Sequence, residues 1–228
     1  QREVLPMKRL FPTILLVLFL AVWAVSMAIG PRLKGSGTSK AETRSVATFN
    51  KIELRGAFDV KVICQRDQSI DIQADDNLLP LIYSEVDGST LKIGTHQRFS
   101  TRMPIQVTIT VPNLEALSLA GSGDVEVIEV NNQQLAINLA GSGDVRLSGT
   151  TKAVNLSLAG SGDIDAQELF SDSAKVSVAG SGNVVVNAEK DLETRIAGSG
   201  DVTYYGNPTN VVKKVAGSGS IHHGSSEN

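Results

Sequence analysis

One cysteine, three histidines and ten aromatic residues among 228 set narrow limits on this chain. With Cys64 as the only thiol, no intrachain disulfide can form, so stability must come from packing and hydrogen bonds. Cys64 ends the run Phe58-Asp59-Val60-Lys61-Val62-Ile63-Cys64, on the face shared by Phe58, Val60 and Val62. It reads as a small buried hydrophobe, not a nucleophile. Aromatic content is low for a surface that stacks bases or sugars, and Phe11, Phe19 and Trp23 fall in one leading apolar run. Clustered basic charge is missing too. Residues 1–30 hold Arg2, Lys8 and Arg9 against Glu3, which leaves 18 of the 21 basic and 23 of the 24 acidic residues to the body. Phosphate contacts need grouped Lys and Arg, so nucleic acid is excluded as a partner. Sustained 3.6-residue periodicity is absent after residue 30, which points to an all-β body.

Long apolar runs are absent with one exception, Phe11–Ile29, which contains no charged residue and follows Lys8 and Arg9. That length suits one membrane-crossing helix. It equally suits an export signal with Met7-Lys8-Arg9 as its basic start and Ser26-Met27-Ala28 as a small-residue cleavage site. Residues 1–30 are therefore a signal peptide or a signal-anchor helix, and 11–29 would hold the membrane if uncleaved. No cysteine ends the run, so it is not a lipoprotein signal. The basic pair in front places the body on the exported side, periplasmic or at the cell surface. Residues 31–45 are polar and rich in small side chains, and read as a flexible linker.

From Phe49 onward the chain alternates in short runs: Ile52 and Leu54; Phe58, Val60 and Val62; Ile70 and Ile72; Leu91 and Ile93; Ile105, Val107, Ile109 and Val111. Period-two alternation punctuated by Gly, Asp, Asn and Pro predicts strands. Asn77-Leu78-Leu79-Pro80 is the one place for a short helical turn.

What fills the second half is repetition. Six near-copies of Ala-Gly-Ser-Gly-Asp begin at Ala120, Ala140, Ala159, Ala179, Ala197 and Ala216, spaced 18 to 20 residues apart. Their glycines are Gly121 and Gly123, Gly141 and Gly143, Gly160 and Gly162, Gly180 and Gly182, Gly198 and Gly200, and Gly217 and Gly219. The closing position is Asp124, Asp144, Asp163, Asn183, Asp201 and finally Ser220. Two residues before each first glycine stands Leu119, Leu139, Leu158, Val178, Ile196 or Val215. Immediately after the Asp position comes Val125, Val145, Ile164, Val184, Val202 or Ile221. Each repeat is thus strand, tight turn and strand with one apolar face, and it can bury that face only against its neighbours. A solenoid with rungs of about 19 residues follows, spanning roughly 30 Å at the interstrand spacing. The alternative is a sandwich of antiparallel hairpins turning at each Gly-Ser-Gly. Identical turns are natural when they stack and unnecessary in a sandwich.

These residues carry a resemblance. The Ala-Gly-Ser-Gly-Asp-Val series follows three stretches: Phe49-Asn50-Lys51-Ile52-Glu53-Leu54-Arg55-Gly56-Ala57-Phe58-Asp59-Val60, Asn77-Leu78-Leu79-Pro80, and Val107-Thr108-Ile109-Thr110-Val111-Pro112. Together they resemble the bacterial family of the putative auto-transporter adhesin, head GIN domain. The resemblance implies a right-handed parallel β-helix-like domain over residues 46–224, with a tail at 225–228, in the cell envelope and with adhesion as its role. It brings no catalytic residues.

The chemistry-bearing candidates are few. Stacked Asp124, Asp144, Asp163 and Asp201 could ligate calcium, but Asn183 and Ser220 interrupt the column and each rung offers one carboxylate, so the expected role is turn capping. Gly-Ser-Gly fits neither a nucleophile elbow nor a phosphate loop. His222 and His223 are adjacent on a strand and point to opposite faces. No catalytic, cofactor or metal residues are assigned. The loop at 94–104, with His96, Arg98, Phe99 and Arg102, joins charge to an aromatic and is the expected contact with a surface ligand, glycan or protein. The expected function is a non-enzymatic, adhesin-like binding module. A membrane-tethered structural or sensing module is the alternative, and a polysaccharide-acting enzyme, drawing on acids near Asp75, Asp76 and Glu85, is the third.

Overall fold

The computed structural model describes residues 32–225, so the expected N-terminal hydrophobic helix lies outside the described residues. Among the described residues no helix is long and apolar enough to cross a membrane.

The body is an all-β solenoid of about five turns. Two short strands, β1 (Leu33–Lys34) and β2 (Ser39–Thr43), lead in. Then come β3 (Lys51–Gly56), β4 (Asp59–Cys64), β5 (Ser69–Asp75), β6 (Ile82–Asp87), β7 (Thr90–Thr95), β8 (Phe99–Ser100) and β9 (Gln106–Val111). The repeats supply β10 (Ala116–Gly121), β11 (Val125–Gly141), β12 (Val145–Gly160), β13 (Ile164–Gly180), β14 (Val184–Gly198), β15 (Val202–Tyr205), β16 (Asn210–Gly217) and β17 (Ile221–His223). The short helical turn expected at Asn77–Pro80 forms at Leu79–Leu81.

Equivalent residues of successive repeats lie side by side and run parallel. Ala120 pairs with Ala140, Ala140 with Ala159, Ala159 with Ala179, Ala179 with Ala197 and Ala197 with Ala216. This excludes the hairpin sandwich. The strands before each corner form one column, β6-β7-β3-β10 and then the later halves of β11 to β14, ending at β16. The strands after each corner form a second, β2-β5-β9-β4 and then the earlier halves of β11 to β14, ending at β15 and β17. Both columns turn Leu, Val and Ile inward. Leu117, Leu119, Ile137, Val145, Ile164 and Val184 are all fully buried. Each such side chain contributes about 1.5–3 kcal/mol by leaving water. The variable spacing is taken up away from the corner, where the register slips between Val127 and Val130 and between Arg146 and Ser148.

Two findings depart from the sequence expectations. The stack does not begin at Ala120: Gly56 pairs with Gly121 and Val60 with Val125, so Leu54–Val60 is the first corner and residues 65–115 are an excursion from it. That excursion contains antiparallel pairs, β5 with β9 and β6 with β7, which close the N-terminal end. The second departure is in the segment read as a linker. Ser39–Thr43 pairs antiparallel with β5, and Leu33 pairs with Phe99. Its side chains are exposed, so no apolar pattern marked it; the backbone ladder holds it, with exposed side-chain bonds from Thr43 to Asp71 and from Gln73 to Ser39.

Candidate functional site

Three features compete for the role of site: the corner column, the histidines, and the loop between β7 and β9. In the corner column each carboxylate reaches along the stack. The Asp144 amide donates to Asp124 Oδ1 (3.2 Å), Asp163 to Asp144 Oδ1 (3.1 Å), Asn183 to Asp163 Oδ1 (2.7 Å), Asp201 to Asn183 Oδ1 (3.1 Å) and Ser220 to Asp201 Oδ1 (2.8 Å). The expected turn cap is therefore a clasp between rungs, each side chain satisfying the amide of the next. Neighbouring carboxylates repel by about 1 kcal/mol in a water-like dielectric. Asn183 relieves this in mid-column and donates its side-chain amide to Asp163 as well (3.1 Å). Among the described residues no group of three or more His, Cys, Asp or Glu is placed to hold a metal ion.

The two glycines of each corner have different reasons. Gly160 has φ of +140°, and a Cβ there would also overlap the Gly141 carbonyl oxygen. Gly162 is outside the left-handed region, yet its Cβ would overlap the Gly143 carbonyl oxygen. At the first corner Phe58 stands where the later ones have the second glycine, and its ring fills the core at 1% exposure.

His222 is exposed. His223 lies 4.9 Å from the Tyr204 ring, and its Nε2 is 2.9 Å from the Gly206 carbonyl oxygen. Cys64 is buried, and burial, assisted by the Glu129 carboxylate, pushes its thiol up to about 11.

The β7–β9 loop is built most like a binding surface. Its centre, β8, pairs with β1, and the Gly35 amide donates to the Ser100 carbonyl (2.8 Å). Asp75 pins both segments from beneath at 2% exposure. Its Oδ1 accepts from the Gly37 amide (2.7 Å) and its Oδ2 from the Thr101 hydroxyl (2.5 Å). Asp76 and Asn77 extend the clasp, accepting from the Ser36 hydroxyl (2.5 Å) and the Ser36 amide (2.9 Å). These acids hold backbone in place and do not converge on a cleft with Glu85, which is exposed on β6. Two grooves share the wall Ser100–Met103. One, of about 410 Å³, runs past Lys34, Gly35 and Asp75; the other, of about 470 Å³, past Ala57, Asp59 and Ser122.

Of the four residues expected at the contact, Arg98 and Arg102 are exposed. His96 is exposed with its ring 5.1 Å from Tyr83. Phe99 is half-buried and packs against the core, so it anchors the loop. Sequence reasoning missed Thr101 and Lys34, and named Asp75 only as a candidate acid of a polysaccharide-acting enzyme. The Asp75-Asp76-Asn77 triplet was a signal of side-chain-to-backbone bonding, but nothing in the sequence gave its partners.

A family model described as putative auto-transporter adhesin, head GIN domain, matches residues 48–208. Among solved structures, a putative adhesin from Bacteroides fragilis NCTC 9343 is similar at a TM-score of 0.70 and 25% identity, over 84% of this chain and 99% of that one. A putative adhesin from Parabacteroides distasonis ATCC 8503 has a TM-score of 0.63 at 19% identity, over 84% and 99%. A putative lipid binding protein from the same organism has 0.58 at 23%, over 85% and 100%. The last two likenesses are of fold alone. No curated protein matches the chain.

Proposed function

Since the chain belongs to the family of the putative auto-transporter adhesin, head GIN domain, we propose that it is an exported, non-enzymatic binding module of the cell envelope or surface. The solenoid is a rigid support, and the ligand, glycan or protein, is met by the β7–β9 loop through Arg98 and Arg102, with Lys34 alongside. The observation that supports this reading is the pair of grooves sharing the wall Ser100–Met103, immobilised from below by buried Asp75. A preorganised loop loses little freedom on binding, which favours affinity. On the same reading the coil winds right-handed, as parallel crossovers within one sheet do. Residues 1–30 direct export as signal or anchor, and 46–224 are the working domain.

The test is binding of the full chain to bacterial or host cells and to a glycan panel, beside the Arg98→Ala/Arg102→Ala variant. Both arginines are exposed, so the variant should fold normally and lose at least about tenfold in affinity, as central contact residues do. Undiminished binding by the variant would move the contact elsewhere. Release of reducing ends from a polysaccharide would replace binding with catalysis. Intact mass of the exported protein decides whether residues 11–29 are retained.

A further inference from the structure

The last rung differs from those before it. Its corner closes with Ser220, and residues 202–224 contain no carboxylate, against Lys213, Lys214, His222 and His223. β16 pairs only with β14, and β17 only with β15, so both leave an edge unpaired. Of the five large apolar side chains exposed among the described residues, three, Val211, Val212 and Val215, lie on β16. Val211 and Val215 continue the interior positions of Leu192 and Ile196, which are buried. Lys213 leans across the open end, its ammonium 4.6 Å from the centre of the Tyr204 ring. Lys214 continues the outward row of Arg195 and has no ion pair among the described residues.

At the other end β2 and β6 likewise have one unpaired edge each among the described residues, but neither carries an exposed large apolar side chain. Arg44 follows β2, donates to the Leu79 (2.9 Å) and Ile82 (2.5 Å) carbonyls, and pairs with Glu42 (3.1 Å). Among the described residues, only the C-terminal end presents free backbone, uncovered valine and unpaired positive charge together.

We propose that β16 is a docking edge for an extended, anionic segment of a partner protein, which adds to the sheet as one further strand. Main-chain hydrogen bonds along a sheet edge supply affinity, and alternate side chains supply selectivity. Carboxylates on the added strand would face Lys213 and Lys214, and its apolar residues would cover Val211, Val212 and Val215. A second copy of this chain does not fit. Tail to tail, Lys213 and Lys214 of one copy face the same lysines of the other, and like charges directly opposite on neighbouring strands repel. Head to tail, β6 would have to reach β16, but β2 stands one strand beyond β6 and would occupy the level of β17. This edge makes no use of the β7–β9 loop, so the proposal does not depend on that contact.

Two labelled peptides test it, Thr-Val-Val-Asp-Glu-Val-Thr, whose adjacent acids alternate faces as Lys213 and Lys214 do, and the same sequence with lysine for both acids, titrated with the full chain at low salt by fluorescence polarisation. The acidic peptide should bind about tenfold or more tightly than the basic one, and Lys213→Glu/Lys214→Glu should reverse the order. Should the double variant fail to fold, Lys214→Glu alone, outward and exposed, must still narrow the ratio. Equal binding, no binding of either peptide, or an order unchanged in the variants would overturn the proposal. So would self-association of the full chain that Val215→Arg abolishes, which would give the edge to a second copy.

Discussion

Replacing Gly160 by alanine should damage this protein far more than its surface position suggests. Gly160 sits at φ of +140°, a conformation that costs an L-residue about 1–3 kcal/mol. The new Cβ would lie only 3.0 Å from the Gly141 carbonyl carbon and 3.1 Å from its nitrogen, and closer still to the oxygen. Relieving that overlap means opening the corner, where the Ser161 and Gly162 amides donate to the Gly141 carbonyl at 3.0 and 3.2 Å. Each lost bond is worth about 1 kcal/mol. The total is about 3–5 kcal/mol, or a fall in Tm of roughly 6–20 °C for a domain of this size. Gly162→Ala has the overlap without the φ strain and should cost about 1–3 kcal/mol. Ala159→Ser, on the exposed row next to the corner, should stay within about 0.5 kcal/mol of the parent. Urea denaturation of the three variants gives the comparison. If Gly160→Ala matches Ala159→Ser, the corners are not pressed together as described and the reasoning fails.

Other perturbations separate the remaining interactions. Thr194 stands in the interior row at 0% exposure with no partner for its hydroxyl, so Thr194→Val should stabilise by about 1–2 kcal/mol in urea melts. Asp163→Asn keeps the acceptor that the Asn183 amide uses and should be nearly neutral, whereas Asp163→Ala should lose about 1–2 kcal/mol and weaken exchange protection of that amide. Cys64 has its folded thiol raised from 9.0 to about 11 by burial and the Glu129 carboxylate. A raised value favours the protonated folded form, so this contribution is whole below pH 9 and fades as pH climbs through 11. It amounts to about 2–3 kcal/mol, and the alkaline fall in stability should shrink in Cys64→Ala.

Much of the scaffold was legible in the sequence because each rung repeats one physical solution. The Leu and Val positions beside Gly-Ser-Gly could bury themselves only by stacking, and Ala120, Ala140 and Ala159 do stack. The first corner, Gly56-Ala57-Phe58-Asp59-Val60, escaped notice. No repeat precedes it, so its second glycine position is free to hold Phe58, and the long excursion before Gly121 hides the period. β2 escaped for another reason: Ser39–Thr43 is held by backbone bonds to β5, which leave no side-chain pattern. At the candidate site, charge and exposure marked Arg98 and Arg102. Pairing with β1 and burial of Asp75 are long-range facts that local sequence does not encode. Phe99 looked like a contact residue from composition and is part of the loop's anchor.

The central claim, that equivalent residues of successive rungs lie over one another along a single axis, is open to a direct distance measurement. Spin labels placed in pairs between Ser118 and Ser177, Arg195 or Lys214 span three, four and five interstrand steps of one outward row. Pulsed electron–electron resonance should return backbone separations near 14, 19 and 24 Å, rising by about 4.8 Å per rung. Distances that fail to grow in equal steps, or that fall between Arg195 and Lys214, would contradict a parallel stack.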